Sequence, residues 1–187
     1  MRFQLLSLYA LLASGTLGCA FGEGDAKVPG DDLGKFHVVG ELDSSTCGAG
    51  ALGSSDVWEF ELRLSRDLTG LYWLNGREVI SGEIANDGVS FEVRTRLEVD
   101  VLEPAPGFVG CTLERYDHAQ GKLSSASTEV KSFQGTLGYE YRTLEDSDCS
   151  PLVGVEGGFA RLPCDLSYEL SATRVVSPEE LQLERSK

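Results

Sequence analysis

Trp58-Glu59-Phe60-Glu61-Leu62-Arg63-Leu64 sets apolar and charged side chains on strictly opposite faces. Period-two alternation of this kind describes a strand buried on one side only. The same pattern runs through Val89-Ser90-Phe91-Glu92-Val93-Arg94-Thr95-Arg96-Leu97-Glu98-Val99-Asp100-Val101, a length that suits a strongly curved or closed sheet. Between the two lie Leu71-Tyr72-Trp73-Leu74, then Asn75-Gly76, then Arg77 to Ile84. Asn-Gly between such runs is a hairpin signal, because a type I′ turn needs positive φ at both central residues. Asn86-Asp87-Gly88 predicts the next turn on the same grounds.

Working outward, Phe36 to Leu42 supplies a first strand, and Cys111 to Tyr116 and Phe133 to Tyr141 supply two more. The last runs from Cys164 to Val175, with Leu166, Tyr168, Leu170 and Ala172 on one face. Asp117 to Gly121 reads as a turn, and Lys122 to Lys131 is the segment that would raise the count to nine if it formed a strand. The expected fold is all-β: a single antiparallel up-and-down β-barrel of about eight strands over 35–176, with a two-sheet β-sandwich as the alternative. Short connections favour the barrel. Ser177-Pro178-Glu179-Glu180, with Ser as cap and Pro at the first position, offers a helix start, so 177–187 is read as a short C-terminal helix or tail.

The chain has 187 residues, with 16 Lys and Arg against 30 Asp and Glu and a formal charge of −14. That acidic balance argues against nucleic acid, whose affinity rests on Lys and Arg neutralising phosphates, and against electrostatic docking on anionic lipid. Met1-Arg2, the apolar stretch Phe3 to Leu12 and the small residues Ala13 to Gly18 read as an export signal over residues 1–18. Ala20 to Gly34, rich in Gly and Asp, reads as a solvated tether, so that 19–34 links the export signal to the domain.

Thr16-Leu17-Gly18-Cys19 resembles the lipobox of bacterial lipoproteins, with Thr16 where that family usually has Leu. The resemblance implies that Cys19 carries a lipid anchor and that the chain is exported to the outer membrane, Ala20 lacking the Asp that retains some lipoproteins inside. Cleavage after Ala20 is the competing reading. Removing residues 1–18 takes away Arg2 and no acid, leaving 15 bases against 30 acids. With Cys19 lipidated, Cys47, Cys111, Cys149 and Cys164 remain, an even number suited to an oxidising compartment. Two disulfides are expected, with three connectivities open. If successive strands alternate in direction, all four cysteines fall at the end opposite the tether.

Gly34-Lys35-Phe36 before the first strand and Arg174 at the end of the last make the domain faintly similar to lipocalin-like barrels, with Phe36 where that family has Trp. The similarity implies a cavity for one small apolar ligand. Candidate pocket residues are Trp58, Trp73, Phe91, Tyr139, Tyr141 and Tyr168, whose ordinary role would be core packing. A second candidate is the loop bearing Leu152, Val153, Val155 and Phe159, read either as a recognition surface on the cysteine-bearing rim or as a plug in the barrel mouth.

No catalytic constellation is legible. His37 and His118 are the only two histidines, and no nucleophile elbow, zinc-protease helix, phosphate loop or dinucleotide fingerprint occurs. Glu145-Asp146-Ser147-Asp148 lacks the spacing of a calcium loop and reads as solvated. The expectation is a non-enzymatic cell-envelope binding or interaction module with no metal and no cofactor, a hydrolase dependent on His37 or His118 being the remaining alternative. Its partners would be the membrane, through the lipid, and either an envelope protein or a small apolar molecule.

Overall fold

The computed structural model describes residues 28–51, 55–76 and 78–176. The export signal, Cys19 and the helix expected over 177–187 lie outside the described residues. The chain forms eight strands: β1 (Asp31–Ser45), β2 (Val57–Asp67), β3 (Gly70–Asn75), β4 (Glu78–Ile84), β5 (Ser90–Leu102), β6 (Cys111–Leu123), β7 (Ser132–Thr143) and β8 (Cys164–Arg174). Each pairs antiparallel with its neighbours in sequence, and β1 also pairs with β8, closing the barrel. The up-and-down barrel therefore holds, and the sandwich does not. Bulges at Asp32/Gly34 and Leu42/Ser44 in β1 and at Asp100/Leu102 in β5 supply local bending.

Several strand boundaries differ from the sequence reading, and three of the differences have a local cause. β1 begins at Asp31, so the tether ends at Gly30, four residues earlier than expected. The reason is local: Leu33 is completely buried, the Arg63 guanidinium reaches Asp32 at 2.9 Å, and the Ser65 hydroxyl donates to the Pro29 carbonyl at 2.6 Å. The β3–β4 hairpin pairs Asn75 with Glu78, so Gly76 (φ 75°) opens the turn and Asn75 belongs to the strand. Lys122 and Leu123 complete β6, and the stretch up to Lys131 is a loop held by Ser124, whose Oγ accepts from the Lys131 and Ser132 N–H groups. No ninth strand forms among the described residues.

The larger correction concerns β6. Asp117 to Gly121 is no turn; the strand runs straight through it to Leu123, paired residue by residue with β5 and β7. His118 consequently stands mid-strand on the outer surface, its Nε2 2.6 Å from Glu92 Oε1. His37 also faces outward, 3.3 Å from Glu59.

Alternation places the segments after β1, β3, β5 and β7 at one end, and both ends of the described chain at the other. Cys47 bonds to Cys164 and Cys111 to Cys149, all four at the first end. At the opposite end the barrel is solid. Phe133 meets Phe36 and Phe91 edge-on at 5.5 and 5.6 Å, and Trp73 tilts against it at 6.1 Å.

The Asn86-Asp87-Gly88 turn lies at that solid end and carries a titratable lock. Asp87 accepts from the Val89 and Ser90 N–H groups at 2.9 and 2.8 Å and from the Ser90 hydroxyl at 2.6 Å. These bonds, the Ser90 hydroxyl first, hold its carboxyl at about 2 against an ordinary 3.8. A carboxylate lowered on folding stabilises above its unfolded value and loses that contribution as pH falls through its folded one. The turn is therefore expected to stay closed at pH 4 and to loosen only as pH approaches about 2. An NMR titration of the Asp87 carboxyl checks this; a midpoint at the ordinary 3.8 would mean that the turn bonds are absent in solution.

Candidate functional site

The inward face of β6 reads Cys111, Leu113, Arg115, Asp117, Ala119, so two charged residues occupy positions where alternation calls for apolar ones. They neutralise one another. Arg115 Nε and Nη2 donate to Asp117 Oδ1 and Oδ2 at 2.6 and 2.7 Å, a bidentate pair whose side chains are 29% and 15% exposed. The guanidinium carbon stands 5.2 Å from the centre of the Tyr139 ring on the adjacent strand. Burial alone would lower the Arg115 pKa, but the bonds to Asp117 outweigh it and hold the guanidinium above its ordinary value. Burial raises the Asp117 carboxyl despite the opposing pull of Arg115. It raises the Tyr139 and Tyr141 phenols as well.

Beside this pair is a cavity of about 190 Å³. Trp58, Phe60, Trp73 and Tyr139 form its aromatic walls, Ile80, Val93, Leu97, Ala119 and Leu137 its aliphatic ones, and Asn75, Glu78 and Thr95 its other polar lining. Trp58 and Phe60 stack at 4.5 Å, and Phe60 leans toward Trp73 at 6.4 Å. Trp73 also forms the floor, since Phe91 and Phe133, which it touches, do not reach the space.

The opening follows from the register. β4 and β5 pair only over Gly82–Ile84 and Phe91–Val93. Toward the cysteine-bearing end their described residues separate, with Glu78 and Ile80 on one side of the gap and Thr95 and Leu97 on the other. Gly82 fixes the point of closure: a Cβ there would meet the Glu92 carbonyl oxygen and lie 2.6 Å from a Val93 methyl. No larger residue lets the two backbones approach so closely.

Of the six aromatic residues expected to line a pocket, Trp58, Trp73 and Tyr139 do so. Phe91, Tyr141 and Tyr168 point inward but belong to the packed core, at 4%, 6% and 0% exposure. Alternation reveals direction and not depth, so it cannot separate the two sets. Asp117 escapes a reading that ends the strand at Tyr116, and Arg115, within that strand, is passed over because a charge breaks the apolar alternation. The available signal is register: continuing inward from Cys111 and Leu113 reaches both.

The rim loop divides. Leu152 and Phe159 are buried, with Phe159 edge-on to Tyr141 at 5.6 Å, so these two plug the barrel mouth. Val153 and Val155 are exposed to solvent. The acidic stretch before it is used locally, Asp148 accepting from the Ser150 N–H at 3.0 Å. At the other end Phe36 and Arg174 are cross-strand partners, and a Cβ on Gly34 would lie 2.8 Å from Arg174 Nε, so Gly34, Phe36 and Arg174 converge. No family model, curated protein or solved structure matches the chain.

Proposed function

We propose that this is a non-enzymatic binding module of the cell envelope, exported and lipid-anchored at Cys19, whose barrel takes a small and largely apolar molecule into the cavity beside Arg115 and Asp117. The observation that carries the reading is the interior ion pair. Desolvating two charges is costly, and well-packed apolar residues of similar volume would serve stability as well or better. A few convergent polar groups in an otherwise apolar pocket are, by contrast, what orients a ligand. The convergence of Gly34, Phe36 and Arg174 in a closed eight-stranded barrel is compatible with lipocalin-like binding. At about 190 Å³ the space is smaller than the roughly 300–1,000 Å³ of drug-sized sites. That volume suits a single ring or a compact branched group and is too small for a long acyl chain.

Native mass spectrometry of the chain from Ala20, prepared from its own periplasm, tests the reading. Extra mass that disappears on denaturation is expected, and Thr95→Trp, which fills the cavity, is expected to abolish it while leaving the β-sheet circular dichroism intact. A bare wild-type mass together with a flat thermal-shift screen would overturn the proposal. Extra mass retained by Thr95→Trp would move the site elsewhere, with the exposed Val153 and Val155 on the rim as the surface to examine for a protein partner.

A further inference from the structure

Resting on the reading of the cavity as a ligand site, we propose that its ligand is a small organic cation, a compact ammonium group received by the aromatic walls. Among the described residues that line it, three carry charge: Arg115, Asp117 and Glu78. They sum to one negative charge, and the positive member is already committed. Two of the Arg115 nitrogens bond to Asp117, and its carbon lies 5.2 Å from the Tyr139 ring centre. An anion entering the space would have to compete with Asp117 for that guanidinium and pass Glu78 at the opening. A cation meets the reverse arrangement. Glu78 makes no ion pair with any described residue, and each Asp117 oxygen keeps accepting capacity beyond its one bond to Arg115.

The walls point the same way. Trp58, Phe60 and Trp73 form a continuous run of rings, at 4.5 and 6.4 Å between successive centres. Ring faces carry the negative lobe of an aromatic quadrupole, and such enclosures hold quaternary ammonium groups. An alkylated ammonium also meets the size limit and loses less hydration on entry than a bare one. The charge of −14 on the whole chain adds a field that draws small cations toward the opening and repels anions.

Calorimetric titration of the full-length exported chain, both disulfides intact, in a non-ionic maltoside at low salt, tests this with three probes of one shape. These are choline, its uncharged tert-butyl isostere neohexanol, and the tert-butylacetate anion. Choline is expected to bind at least about tenfold more tightly than neohexanol, with tert-butylacetate the weakest. Glu78→Gln should narrow the ratio between choline and neohexanol several-fold, and Thr95→Trp should abolish choline binding. Neohexanol binding as tightly as choline overturns the cation while leaving the cavity a ligand site. The cation is overturned in the same way if none of the three binds but native mass spectrometry finds another occupant that Thr95→Trp removes. If no probe binds and no occupant is found, the proposal falls together with the function on which it rests.

Discussion

Replacing Cys47 and Cys164 together by serine is expected to lower the free energy of unfolding by about 4–5 kcal/mol, read from the urea midpoint and slope together, the slope rising because the unfolded chain is no longer confined. The two residues are 117 positions apart, and the bond confines the unfolded chain to a loop of that size. Its place in the fold gives it more than entropic weight. It joins the segment after β1 to the first residue of β8, the pair whose contact closes the barrel. Removing Cys111–Cys149, which spans 38 positions, should cost about 1 kcal/mol less on loop entropy alone. The smaller loop is nested inside the larger one, so each bond already shortens the free chain that the other must close, and removing both should cost more than the two separate losses combined. An effect below about 1 kcal/mol for the first pair would mean that the denatured chain already holds β1 near β8.

Phe133→Ala carries the other large expected effect, a loss of about 3–5 kcal/mol. Phe133 is 1% exposed and touches Phe36, Phe91 and Trp73, so its removal leaves a void bounded by three rings that cannot all collapse into it. Trp73 is both a neighbour of that void and the floor of the cavity, so the variant should also change tryptophan fluorescence in the folded state. Phe60→Ala makes the contrast, because Phe60 is only partly buried and borders space that already exists. It should cost distinctly less stability. Equal losses at the two positions would mean that the cavity wall is as tightly packed as the floor.

The barrel is legible in the sequence because most of its strands obey one rule without exception. From Trp58 to Leu64 every second side chain is charged, and the turns between runs are marked by Asn, Asp and Gly. A closed sheet with consecutive pairing is the architecture that such a series builds with least rearrangement. Legibility fails where the rule is broken. Arg115 and Asp117 face inward, so the inward register of β6 is charged just where it passes the cavity, and a search for apolar alternation stops at that point. The residues that give the cavity its polar wall are therefore the residues that conceal the strand carrying them. Natural sequences depart from local consistency chiefly at such places. Depth is hidden for a different reason. Whether Tyr139 or Tyr168 borders open space depends on how eight strands tilt and separate, and above all on the short β4–β5 pairing, which no single segment specifies.

The meeting of the two chain ends has a consequence for how this barrel can be moved between proteins. Phe36 and Arg174 lie side by side, and the Val175 N–H donates to the Lys35 carbonyl at 2.7 Å, so the chain leaves β8 beside Lys35, four residues along β1 from its first residue, Asp31. A unit of that kind can be spliced whole into a surface loop of a host with little change in the spacing of the host's own backbone. It can equally be circularly permuted, its natural ends joined by a short linker and new ones opened between β5 and β6, where the disulfides still hold the rim.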